Sequence, residues 1–436
     1  MPQRLIFALA LTLSSQLLAQ LSAPTAESNA VQLGRTSPLT GVPEWSKLRA
    51  LDQLLTTEEF VKAWETLYQG GKALPPPWTL RPTELEVATG LTVAPTQKIA
   101  FRANGEAPKA DRYWRRPEEL PPTTEERPVL ADLHIALDPG HIGGDYAAME
   151  ERLLIFDPSR QQEAVREGDS TLLTAKVLKA KLEAAGAKVS LVRDQTQPLT
   201  PKRPADFRTD AIRILNELGI TEPVDGYAGL PADQRAYTIQ WQSEKLFYRV
   251  AEIRARADLV NQKLKPDFVV CLHLNAEGWG NAAEPQYSAL NHFHILINGC
   301  YAPEELQSAD VRYEALRRIF HRISEVELPL AEAVARAVAD RTQLPPYIYT
   351  TPNARQAGTN SYVYVRNLLA SRLYDCPVIY LEPYVMNHRD TYQRLLRGHY
   401  IGRTLANGRL QSSVIEDYAS GVAQGVIRYF QQQRRK

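Results

Sequence analysis

Apolar positions recur along this chain with two periods, and the change of period divides it. From Trp45 to Tyr68 the spacing is helical, with Leu51, Leu54, Leu55, Phe60 and Trp64 on one face and a helix start at Thr56-Thr57-Glu58-Glu59. Pro75-Pro76-Pro77 closes that unit, and Leu85 to Phe101 then alternates like strands. From His134 onward short apolar runs alternate with helical stretches, the pattern of an α/β domain. Ile135–Asp138, Lys188–Val192, Phe268–Leu272 and Val378–Leu381 read as strands, and His292–Asn298 as a strand nearer the sheet edge. The intervening helices are predicted over Thr171–Ala185, Leu330–Val338 and a closing segment carrying Ile415, Ala419, Val422, Val426 and Phe430. The first places Ala175, Leu178, Leu182 and Ala185 on one face, with Asp169 or Ser170 as cap and Gly186 as left-handed stop.

These periods predict a three-layer α/β/α domain with a mostly parallel or mixed sheet, preceded by a small α+β domain. The expected layout is a signal peptide over 1–19, a linker over 20–40, the small domain over 41–103, a Pro-rich linker over 104–130 and the main domain over 131–436. Residues 197–245 lack a strong period and read as an insertion in the main domain. The signal peptide rests on Arg4, the apolar run Leu5–Leu13 and the small residue of Leu17-Leu18-Ala19. That run is too short to span a bilayer, which takes about 20 residues. The expectation is therefore an exported chain, periplasmic or wall-associated, with no membrane span after cleavage. A formal net charge of +1 argues against a nucleic-acid partner, which would call for a basic excess. Three cysteines are too few for a disulfide scaffold; Cys271 and Cys376 read as buried thiols, and one bridge of unspecified pairing stays open.

Three predicted strands run into a residue able to bind metal or move a proton. His141 follows Asp138-Pro139-Gly140, His273 follows Phe268–Leu272, and Glu382 follows Val378–Leu381. Ligands gather at the carboxyl ends of strands in open α/β sheets. With eight histidines in 436 residues, two at strand ends beside a strand-end Glu point to a metal site. His134, His292 and His294 read instead as strand residues facing solvent or satisfied in the core.

The motifs around these residues resemble the zinc-dependent N-acetylmuramoyl-L-alanine amidases of the Amidase_3 family. Asp138-Pro139-Gly140-His141-Ile142-Gly143-Gly144-Asp145 is similar to that family's opening strand and turn, and Glu167 with Leu172 fits its Glu before a helix. Cys271-Leu272-His273-Leu274-Asn275-Ala276 and Leu381-Glu382-Pro383-Tyr384-Val385-Met386-Asn387 resemble its later motifs, as does Arg256 with Ala257 and Asn261. The resemblance spans residues 133–430. It implies Zn2+ held by His141, Glu167 and His273, with Glu382 as general base and peptidoglycan as substrate. An activator protein is a possible partner, because some members of the family carry a helix that blocks the metal. Asp138 and Asn275 are candidates to support the ligands, and Arg366 to bind a substrate carboxylate or pair with a surface acid. Glu150, Glu151 and Glu163 compete with Glu167 for the ligand role. The chain departs from the family at Ile142, where a Gly is usual, in a long loop from Asp145 to Glu167, and in the insertion. Two other readings stay open: an exported zinc peptidase acting on a different amide, and a non-catalytic wall-binding scaffold.

Overall fold

The computed structural model describes residues 35–71, 75–90, 95–122, 124, 127–157, 159, 164–278, 280 and 285–434. The signal-peptide segment and Glu163 lie outside the described residues. No helix among the described residues is long and apolar enough to cross a membrane.

In chain order the elements that matter are α1 (Thr57–Ala63), the meander β1 (Trp78–Leu80), β2 (Glu84–Ala88) and β3 (Thr96–Ala100), then β4 (His134–Pro139). A two-stranded ribbon, β5 (Leu153–Leu154) and β6 (Val165–Arg166), leads into α2 (Glu167–Ala184) and β7 (Lys188–Leu191). Helices α3 (Arg208–Glu217), α4 (Ile239–Lys245) and α5 (Glu252–Asp258) precede β8 (Phe268–Leu272) and β9 (Phe293–Ile297). Next come α6 (Ala309–Phe320), α7 (Ser324–Thr342), β10 (Ala354–Gln356), β11 (Val363–Arg366), α8 (Leu369–Leu373) and β12 (Val378–Pro383). The chain closes with α9 (Arg389–Leu396), the hairpin β13 (Thr404–Ala406) and β14 (Arg409–Gln411), and α10 (Val414–Gln433).

Seven strands form one mixed sheet in the order β10-β11-β9-β12-β8-β4-β7. The contiguous run β12-β8-β4-β7 is parallel, whereas β9 runs antiparallel to β12. Side chains alternate across the sheet, so each face needs its own cover. Ile135, Leu137, Val270 and Leu272 pack with Ala175, Leu178 and Leu182 of α2, Leu330 and Val334 of α7, and Val422 and Val426 of α10. Ala136, Val269, Cys271 and Val378 point the other way, onto Ala257, Val260, Ile323 and Tyr374. The expected three-layer α/β/α arrangement is thus present, and the apolar face read for α2 is the one buried.

Two local expectations need correction. His292–Asn298 was expected near the edge, but β9 lies inside the sheet, between β11 and β12. The reason is that Val363–Arg366 and Ala354–Gln356, too short to stand out as periodic runs, add two strands beyond it. Helix α2 starts at Glu167 rather than Thr171, and its N-cap, Arg166, makes no side-chain cap. Asp169 is drawn away to accept from Gly144 N–H at 2.7 Å. The helix start expected near Thr56 does form, as a reciprocal capping box between Thr56 and Glu59.

Residues 48–101 bury Leu51, Phe60, Leu85, Val87 and Ile99 in one cluster with Val311, Leu316 and Phe320 of α6. The Pro-rich 104–130 stretch lies against the sheet domain, with Trp114 in the core and Arg115 paired to Asp267 at 2.7 Å. All three cysteines are free and buried, which removes the disulfide left open above.

Candidate metal centre

Strands β12, β8 and β4 are adjacent and parallel, so their carboxyl ends share one edge of the sheet. That order brings the end of β4, with His141, beside the end of β8, with His273, and β12 adds Glu382 next to them. Glu167 arrives separately, as the first residue of α2. His141, Glu167 and His273 each offer a ligand atom within 4.8 Å of the others. His141 Nε2 is 3.2 Å from Glu167 Oε2, and His273 Nδ1 is 3.1 Å from Glu167 Oε1. The two imidazoles meet edge to face, with centroids 5.1 Å apart.

The backbone is shaped for this approach. A Cβ on Gly140 would lie 2.3 Å from the His273 ring, so only glycine lets the imidazole close on the end of β4. His141 itself takes a left-handed φ of 58°, a strained conformation for a non-glycine residue. The strain is held in place by Arg256, whose guanidinium donates to Pro139 O at 2.8 Å and His141 O at 2.9 Å. Asp138 accepts from that same guanidinium at 3.0 Å and from Tyr374 OH at 2.5 Å. Asp138 therefore touches the ligand loop through Arg256, with Glu252 completing the buried network at 2.8 Å. Asn275 clips the loop after β8 to the end of β12, donating from its N–H to Tyr384 O and accepting from Met386 N–H, each at 2.8 Å.

Of the competing acids, Glu150 takes a supporting place. Its carboxylate accepts from the N–H groups of Ile142 and Gly143 and stands 3.4 Å from His141 Nδ1. That contact favours the tautomer with Nε2 bare toward Glu167. Glu151 pairs with Lys245 at 2.8 Å, on the far side of the loop.

Charge fits a cation here. Burial drives the His141 imidazole well below its ordinary pKa, against the pull of Glu167, so it stays neutral. Burial pushes the Glu167 carboxyl up, but His141, His273 and Arg152 outweigh it and hold the group below the usual carboxylate value. Glu167 Oε2 is fully buried and receives no hydrogen bond of good geometry. The Arg152 Nε lies beside it at 3.0 Å and donates to His141 Nε2 at 3.2 Å. A buried carboxylate oxygen lacking its donor, facing two imidazoles, is a donor set that could hold a metal ion.

Glu382 sits on the neighbouring strand, and Tyr380, two residues earlier, stacks on His273 at 4.3 Å. Sequence reasoning missed its partner. In the antiparallel register Glu382 faces His294, and His294 Nε2 is 3.2 Å from Glu382 Oε2. Tyr349 OH meets the same nitrogen at 2.9 Å, and Arg366 Nη1 donates to Tyr349 OH at 3.4 Å. Burial raises the Glu382 carboxyl, yet the hydrogen bond and charge of His294, with His273 and Arg366, bring it down to about 2. Only the β9–β12 pairing reveals His294, and neither strand's own sequence encodes that pairing. Among the described residues no carboxylate lies within 4.0 Å of Arg366, so the surface-acid pairing considered for it is absent. His134 and His292 are satisfied elsewhere, by Ser190 and Glu277 at 2.9 and 2.8 Å.

Two of the three departures noted in the sequence, Ile142 and the insertion, meet in space. Ile142 is wholly buried among Phe207, Ala211, Leu215, Ile239 and Phe247 of the 197–245 insertion and its continuation. An isoleucine at that turn anchors the insertion beside the ligands. Beside the insertion, His141 and His273 keep 16% and 14% of their side chains exposed.

Searches with family models and among curated proteins find no match. Several solved structures resemble the chain. The N-acetylmuramyl-L-alanine amidase Ami1 of Mycobacterium smegmatis is 14% identical, with a TM-score of 0.37 over 70% of this chain and 99% of its own. The amidase AmiC2 of Nostoc punctiforme is 14% identical, with a TM-score of 0.36 over 69% and 99%. The CwlD amidase of Clostridioides difficile, solved with the GerS lipoprotein, is 14% identical, with a TM-score of 0.35 over 68% and 98%. These structural neighbours are amidases. At such identity and TM-score the likeness assigns this chain no activity.

Proposed function

We propose that the chain is an exported zinc-dependent amidase that cleaves the bond between N-acetylmuramic acid and L-alanine in peptidoglycan. The observation that carries this reading is the convergence of His141, Glu167 and His273 within 4.8 Å, with an ionised Glu382 on the adjacent strand. The motif order around those residues supplies the substrate class. His141, Glu167 and His273 would hold the ion. A zinc ion so held supplies Lewis acidity, polarising the scissile carbonyl and acidifying water.

The residues do the rest. Glu382 takes a proton from the attacking water and returns it to the departing alanine nitrogen. Glu150 holds the His141 tautomer, and Arg256 holds the strained backbone that presents it. Arg366, beside Tyr349 and without a carboxylate within 4.0 Å among the described residues, would receive a substrate carboxylate.

The test is digestion of purified peptidoglycan by the zinc-loaded full chain. Release of free N-terminal L-alanine is expected; release of any other new amine instead, or of none, overturns the reading.

A further inference from the structure

The pair His294–Glu382 lies outside the ligand set. His294 is 1% exposed, its Nε2 engages Glu382 Oε2 at 3.2 Å, and the rings of Tyr347 and Tyr349 pack on it at 5.1 and 5.2 Å. We propose that His294 is a positioning residue for the general base: it ties one oxygen of Glu382 and leaves the other free to accept a proton from water. The inference rests on the hydrolase reading above.

A plain structural ion pair explains these facts less well. A buried pair of charges gives a strand little net stability compared with an apolar pair. His292, just before β9, provides an internal control: it is also buried and pairs with Glu277 at 2.8 Å. Both pairs brace the sheet edge, but only His294 reaches the proposed base.

Groups from every packed element face Glu382. The nitrogen-bearing groups besides His294 are the His273 imidazole after β8 and the guanidinium groups of Arg366 on β11 and Arg152 before β5. The hydroxyls are those of Tyr347, Tyr349, Tyr380 and Tyr418. Among these, His294 alone lies within ion-pair distance of the carboxylate in the described structure. In the reaction, an O–H bond of water breaks and its proton goes to the free oxygen of Glu382. The hydroxyl bonds to the carbonyl carbon, the C–N bond breaks, and the same proton passes to the leaving nitrogen. His294 keeps its own proton throughout, so water is consumed and nothing else changes.

The experiment compares His294→Ala, His294→Gln and His292→Ala in the zinc-loaded full chain on a soluble muropeptide. His294→Ala should lower kcat roughly 10- to 100-fold, the usual size of a supporting-partner loss, with KM and zinc content little changed. His294→Gln, whose amide N–H can still donate, should recover part of the rate, and His292→Ala should stay near the parent. A carboxyl titration of Glu382 followed by 13C NMR should show a higher pKa in His294→Ala. Parent-like kcat in His294→Ala, or an unmoved Glu382 titration, overturns the proposal. So does an equal loss in His292→Ala, which would point to the sheet edge in general. If the parent cleaves no muropeptide, the amidase reading fails, and the titration still decides whether His294 governs Glu382.

Discussion

The two halves of the cleft are built on different principles. The half proposed to hold the metal, at the ends of β4 and β8, is fixed through the backbone. Gly140 admits the His273 ring, His141 sits in a left-handed conformation, and Arg256 grips the carbonyls on either side. The half proposed to supply the base, between β12 and β9, is joined by side chains set across a strand pairing: Glu382, His294, Tyr349 and Arg366 in a row. The first arrangement tolerates no added atom, because interiors are close-packed and the backbone has nowhere to move. The second can lose a side chain without moving a strand, so its changes should register in rate before they register in folding.

Gly140→Ala should be the most damaging change, since the new methyl and the His273 ring cannot share their space. Zinc content and hydrolysis should both vanish, and a variant that keeps its zinc would show the ligand half to be looser than described. Glu382→Gln should keep zinc yet lose roughly 10²- to 10⁴-fold in kcat, the range of a removed general base. Loss of metal from that variant would erase the contrast between the halves.

Arg256→Met should cost roughly 3–5 kcal/mol of stability, because it strands Asp138 and Glu252 as buried acids. Denaturant unfolding measures this, and zinc affinity should weaken with it. Arg366→Met should mainly raise KM, by roughly tenfold for a carboxylate-bearing substrate, as expected for the loss of a charged hydrogen bond. Blocking that carboxylate should produce the same change in the parent.

The smallest effect expected is one of pH. Burial, with Arg317, lowers the His321 imidazole to about 4, far from the cleft. The unfolded chain therefore binds more protons than the folded one between pH 6.5 and 4. Stability is complete above that window and falls as pH drops through it, by roughly 1–3 kcal/mol with allowance for partial solvation. His321→Asn should flatten that slope in thermal melts.

Much of the site was legible in the chain itself. Asp138-Pro139-Gly140-His141 announces a strand that stops at a turn, and Val269-Val270-Cys271-Leu272-His273 announces another. Local rules suffice there, because a buried run ending in Gly or a polar residue has few alternatives. Glu167 was harder, because Glu150 and Glu151 share its loop and an acid at a helix start has an ordinary explanation. The fold separates them: Glu150 turns to the N–H groups of Ile142 and Gly143, and Glu151 to Lys245.

Sequence alone determined the periods, the strand ends and hence the chemistry on offer at each. Tertiary structure decided which ends are neighbours: the order β12-β8-β4 gathers His141, His273 and Glu382, and antiparallel β9 lays His294 across from Glu382. Strand order and direction follow from how whole elements cover both faces of a sheet. That is a property of packed layers, which no stretch of residues along the chain contains.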